Sequence, residues 1–252
     1  IESIDHIKIM SAKAFSGADV VVFDNIEEAK VFEYHTTNDV AYVIRTERKK
    51  LFAQSEAVAL LLNKVKRLNI VITDISEFNE DDFKTYSDVL AFLSKEVERK
   101  YVNGGSVQLN ILTDRMMLNQ MNNCDAGHTT ITLAPDGKFY ICPAFYLDDD
   151  GYSVGDLRHG LNIKNPQLYR LDHAPLCRNC DAWQCKRCIW FNRKLTLEVN
   201  TPSHEQCVLS HLERNASRDL LKAIRKHGVF LPEREEIKEI NYLDPFDVRK
   251  EW

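Results

Sequence analysis

Apolar residues in the first 118 positions recur with two periods, and the alternation of those periods predicts the fold. "HIKIM", "DVVVFD", "VAYVIRT" and "NIVITD" are short runs rich in valine and isoleucine, which read as buried strands. Between them, Leu51, Val58, Leu61, Leu62, Val65 and Leu68 repeat at helical spacing, with basic residues at the end, and predict a helix over 51–68. The clearest helix is predicted over 79–104. Asn79 can cap it, acidic residues fill its first turn, and Phe83, Tyr86, Leu90, Leu93, Val97 and Tyr101 line one face. Gly104 can end it. "SVQLNIL" follows as a further strand. Strand–helix–strand repetition implies parallel βαβ units with right-handed crossovers.

Near residue 119 the texture changes. "TTITLAPDGKFYICPAFY" reads as a hairpin turning at "PDG". A loop-rich stretch runs to about residue 202. A helix is then predicted over 203–228, with Ser203 and Gln206 as a capping box and Gly228 at its end. The organisation expected is an α/β domain over 1–118, a cysteine-rich module over 119–228 and a charged, surface-wrapping tail over 229–252.

Composition narrows the class. The chain has 252 residues, 44% hydrophobic and 28% charged, which suits a folded chain with a sizeable core. A net charge of −5 gives no signal for nucleic acid or for a membrane surface. The longest apolar run, "AVALLL", is too short to span a bilayer. The chain opens at Ile1 with neither a methionine nor a leader, as a piece of a longer protein would, and a cytoplasmic location is expected. The sequon at Asn215 falls in a predicted helix and is discounted.

The candidate chemistry lies in the cysteines. There are seven, an odd number, and none precedes Cys124. That asymmetry fits a metal or cluster site better than a disulfide framework. Cys177/Cys180 and Cys185/Cys188 are two CxxC pairs separated by four residues. Two residues between thiols let one tight turn aim both sulfurs at a common centre. A single zinc on these four would leave Cys124, Cys142 and Cys207 unexplained. Closely spaced cysteines can instead divide between two iron–sulfur clusters. Spacing alone leaves zinc and iron–sulfur open. Cys207 falls in the first turns of its helix, where positive partial charge suits either kind of thiolate. Trp183, Trp190, Phe191, Tyr140 and Phe145 read as shielding and small-core residues, with peptide contact by one or two of them as the lesser alternative; Lys186 and Arg187 read as solvated surface, with donation to cluster sulfurs as the alternative.

Cys124, then Gly137 with four residues before Cys142, then the four-cysteine stretch, then Cys207, resembles a SPASM domain, the auxiliary-cluster module of many radical SAM enzymes that modify peptides. The usual middle motif CxxC-x5-C-x3-C is here CxxC-x4-C-x2-C. The resemblance covers about residues 119 to 210. More narrowly, "LTDRMML", "ITLAPDGKFYICPAFY" and "CDAWQCKRCIW" are similar to the CXXX repeat peptide maturases. The resemblance implies two [4Fe–4S] clusters, one on Cys177, Cys180, Cys185 and Cys207, the other on Cys124, Cys142 and Cys188. It leaves one iron for a non-cysteine ligand, with Asp125 and His128 as candidates, or for a peptide thiolate. It also implies that the α/β half is the remnant of a partial TIM-like barrel, and that the partners are a cysteine-containing precursor peptide and a radical SAM enzyme.

One feature of radical SAM enzymes is missing: no CxxxCxxC occurs in the chain. Either that loop lies upstream of Ile1, or the chain is a degenerate relative that works beside a true radical enzyme. P-loop, GxGxxG, HExxH and GxSxG motifs are also absent, so no other catalytic route is assigned. The leading expectation is maturation of a ribosomally made, cysteine-containing peptide. The alternatives are a non-catalytic zinc-binding adaptor and a purely structural metal in part of a larger enzyme.

Overall fold

A computed structural model describes residues 7–14, 17–34, 40–148 and 152–245. Five parallel strands form one sheet in the order β1-β2-β3-β4-β5. They are β1 (Ile9–Ser11), β2 (Val20–Phe23), β3 (Ala41–Thr46), β4 (Arg67–Ile72) and β5 (Gln108–Leu109). The start of the "HIKIM" run lies outside the described residues. Helices α1 (Ile26–Val31), α2 (Arg48–Ala53), α3 (Ser55–Leu61) and α4 (Glu80–Val102) connect the strands from β2 onward, and α5 (Asn110–Met117) follows the last. Chain order and spatial order agree, so the sheet has no reversal point of the doubly wound kind.

The strands are buried on one face only. In β3, Tyr42, Ile44 and Thr46 are buried while Ala41, Val43 and Arg45 are not, and β4 repeats the pattern with Leu68, Ile70 and Ile72. Both-sided burial, expected from the apolar runs, is therefore corrected: Val71 is 43% exposed. Connections of one hand put their helices on the same face of a sheet in sequential order, and the other face stays open.

Two predicted elements differ in the structure. The helix expected over 51–68 is two short helices, broken at Gln54, whose φ of −124° is not helical. Its final residues belong to β4, which pairs with β3 from Arg67 to Ile72. The strand expected at "SVQLNIL" stops after two residues and becomes α5. Asn110 takes over the pairing: its Oδ1 accepts from the Ile70 amide at 2.8 Å and its Nδ2 donates to the Ile70 carbonyl at 2.9 Å. The helix capped by Asn79 forms as expected, with a full capping box completed by Asp82.

Beyond α5 come a short hairpin, β6 (Thr132–Leu133) and β7 (Phe139–Tyr140), then α6 (Pro143–Leu147). A second hairpin pairs β8 (Gly155–Asp156) with β9 (Gly160–Leu161), and two helices follow, α7 (Ile189–Thr196) and α8 (His204–Arg225). Gly137 turns the first hairpin at φ 77°, in the region that favours glycine. The hairpins, α6 and α7 build a small core of their own around Tyr140, Ile141, Phe145, Tyr169 and Ile189.

Helix α8 belongs to the other core. It packs on α4 and α5, and Val208, Leu209, Leu220, Leu221 and Ile224 join the apolar cluster beneath the sheet. Ser203 makes its half of the expected cap, accepting from the Gln206 amide, while Gln206 Oε1 is buried without a partner among the described residues. The following segment folds back. Arg225 donates to the carbonyls of Phe230, Leu231 and Arg234, and Ile237 is buried against the core. The last part of the expected tail, 246–252, lies outside the described residues. No helix among the described residues is long and apolar enough to cross a membrane.

Candidate metal centres

All seven cysteines are free thiols. Three features of the local fold position them. Turns within the loop present Cys177, Cys180 and Cys185: the Cys180 amide donates to the Cys177 carbonyl at 3.1 Å, and the Cys185 amide to the Ala182 carbonyl at 3.0 Å. Segment 122–124 lies along the same loop, with the Asn122 amide on the Trp183 carbonyl (2.9 Å) and the Cys124 amide on the Lys186 carbonyl (3.0 Å). Helix starts supply the rest. Cys142 and Cys188 are the residues capping α6 and α7, and Cys207 sits in the first turn of α8.

The thiols influence one another in two sets. Burial pushes Cys177 up to about 12, and the neighbouring Cys185 and Cys180 add to the rise. Burial also raises Cys207, with Cys177, Cys185 and Cys180 contributing. Cys188 is raised by burial and by Cys124 and Cys142. Cys177 and Cys207 thus both feel Cys180 and Cys185, and Cys188 feels Cys124 and Cys142. Burial favours the neutral thiol at Cys177, Cys180, Cys185, Cys188 and Cys207, and a bound cation would draw these sulfurs into the anionic form. As the side chains now lie, no three His, Cys, Asp or Glu among the described residues stand together as ligands of one ion.

Several donors already face the sulfurs. The Ala182 amide lies 3.4 Å from Cys180 Sγ. Backbone amides of Phe191 and Trp190 oppose the rise at Cys188, and the Ser210 hydroxyl and Arg187 amide do so at Cys185. N–H and O–H groups aimed at sulfur stabilise its thiolate form and tune any centre it ligates.

Two buried guanidinium groups anchor the loop to the α/β body. Arg214 of α8, 0% exposed, holds the Asp181 carboxylate through Nε at 2.9 Å and Nη2 at 2.6 Å. Arg115 of α5 donates from Nε to the Asp181 carbonyl and covers the Trp183 ring, 3.8 Å from its centroid. Burial would raise the Asp181 carboxyl, but the two arginines hold it below its ordinary value.

His211 was not among the residues expected from sequence. Its Nε2 lies 3.5 Å from Cys180 Sγ, and burial lowers its basicity. The signal was available: His211 follows Cys207 by four positions in a helix and so shares its face. Asp125 and His128 are both exposed. Asp125 accepts from Asn123 Nδ2 at 2.7 Å, and its carbonyl closes a turn with the amides of His128 and Thr129. Among the described residues no hydrogen bond joins either to a cysteine. Lys186 is exposed, but Arg187, expected at the surface, is 1% exposed. Of the aromatic residues, Tyr140 and Phe145 sit in the small core, Trp190 and Phe191 stack, and Trp190 Nε1 donates to Asp148 at 2.9 Å.

No family model matches the chain, and no curated protein is significantly similar to it.

Proposed function

We propose that the chain takes part in maturing a ribosomally made, cysteine-containing peptide and holds two auxiliary iron–sulfur clusters, as a SPASM module would. The observation that supports the reading is that Cys180 and Cys185 influence both Cys177 and Cys207, while Cys124 and Cys142 influence Cys188. Cys177, Cys180, Cys185 and Cys207 would hold one cluster. Cys124, Cys142 and Cys188 would hold the other and leave one iron for Asp125, His128 or a thiolate of the peptide. The donor set fits such groups, because thiolate is their ordinary ligand and amide donors face the sulfurs. Bound clusters would supply electron transfer or a thiolate anchor. The chain's own residues would orient the sulfurs, through the Arg115–Asp181–Arg214 anchor, and shield them with Trp190 and Phe191.

The sheet is consistent with the wall of a partial barrel, since its strands run in sequential order and one face is open. Radical generation would occur on a separate site or partner, because this chain has no CxxxCxxC. A zinc-binding adaptor is the second reading. It is favoured by the Cys180–His211 contact, because zinc accepts mixed sulfur and nitrogen ligands.

The test is anaerobic reconstitution with iron and sulfide in parallel with zinc. Binding of iron with matching sulfide, and a broad visible absorption, supports the cluster reading. Stoichiometric zinc with no stable iron supports the adaptor.

A further inference from the structure

Arg187 is the least expected buried group in the cysteine-rich half. It lies between Cys185 and Cys188 in sequence and is 1% exposed. Its backbone sits at φ 43°, in the left-handed region that a branched or long side chain enters at a cost. Two of its nitrogens are committed. Nε donates to Asn123 Oδ1 at 2.7 Å, and Nη2 to the Tyr169 carbonyl at 2.7 Å. Nη1 is buried and has no partner among the described residues. Asn123 is the neighbour of Cys124, so the guanidinium reaches from the four-cysteine loop to the segment that carries the other set.

A buried guanidinium cannot shed its charge near neutrality, and leaving it without a close anion is costly. Both hydrogen-bonded partners of Arg187 are neutral. Of the groups that favour its charged form, Asp125 is exposed and accepts from Asn123 Nδ2, and the others are thiols of both sets, Cys177, Cys124 and Cys185. Protonated thiols offer it little. Anionic sulfur would complete the site, and Nη1 is the free donor.

We propose that Arg187 is the shared counter-cation of two thiolate-ligated centres, with Nη1 donating to sulfur and the one charge tuning both. The inference rests on the cluster reading given above. It concerns a tuning residue: a fixed positive charge and an N–H···S bond stabilise the reduced, more negative state of a cluster and raise its potential.

The experiment uses the full chain labelled with guanidino-15N arginine, reconstituted with iron and sulfide, reduced, and examined by pulsed electron paramagnetic resonance. A 15N coupling is expected in the wild-type protein, and it should vanish in Arg187→Lys, which keeps the charge but carries no guanidino label. Arg187→Met, at equal iron content, should lower the midpoint potential of both centres, whereas Arg187→Lys should move them less. Iron-loaded wild-type protein without the coupling, or with a coupling that survives Arg187→Lys, overturns the role of Arg187 and leaves the cluster reading standing. If Arg187→Met does not fold, the labelled wild-type and Arg187→Lys spectra decide. Wild-type protein that takes up no iron overturns the cluster reading itself, and the inference with it.

Discussion

Buried ionisable side chains outside the thiol sets also shape the loop. Glu213 of α8 accepts from the Tyr86 hydroxyl at 2.8 Å and from Gln184. Burial nevertheless raises its carboxyl from 4.5 to about 7. The unfolded chain therefore releases this proton near pH 4.5 while the folded chain keeps it until about 7, and stability falls as pH rises through that window. Glu213→Gln keeps an acceptor for Tyr86 and removes the charge. It should raise the melting temperature at pH 8, by at most about 3 kcal/mol of stability, and change little at pH 4.5. Thermal unfolding of the two proteins at both pH values checks this. An equal shift at both would remove the titration of Glu213 as its cause. At this scale the sequence was informative about which residue types carry chemistry, since the cysteines and their spacing are local facts. It was silent about Arg214 and Arg115, whose partner Asp181 lies 33 and 66 positions away and is set by tertiary packing.

Elements with strong local signals were legible: α4 starts at its capping box, and its apolar stripe is the buried one. Elements decided by distant partners were not. β4 begins at Arg67 because β3 offers a six-residue ladder, which outweighs the helical spacing that reaches Leu68. α5 begins at Asn110 because that side chain pairs with Ile70, a contact across 40 positions. The anchoring of the cysteine loop to α5 and α8 gives a sharp expectation. Asp181→Asn leaves the fully buried Arg214 without its anion and should cost about 3–5 kcal/mol. Denaturant unfolding of the metal-free protein measures it, and a loss under 1 kcal/mol would show that Asp181 is not what holds the loop. Leu220→Ala, on the buried face of α8, should cost about 2–5 kcal/mol by opening a cavity in the larger core. The same unfolding assay reads it, and a neutral result would place α8 outside that core's cooperative unit.

For the whole molecule, the open sheet and the cysteine-rich half have to be reconciled with the missing CxxxCxxC. The chain alone, loaded with iron and sulfide and given reductant and S-adenosylmethionine, should form no 5′-deoxyadenosine above background. Product that disappears with Cys188→Ala would move cofactor cleavage onto the centre assigned here to the auxiliary set. The central claim is that the seven thiols serve two separate four-iron centres, and iron content per chain tests it most directly. The wild-type protein should bind about eight irons with matching sulfide, and Cys188→Ala and Cys207→Ala should each retain about half. A single zinc per chain that survives Cys188→Ala would contradict the account, as would loss of all metal from either variant.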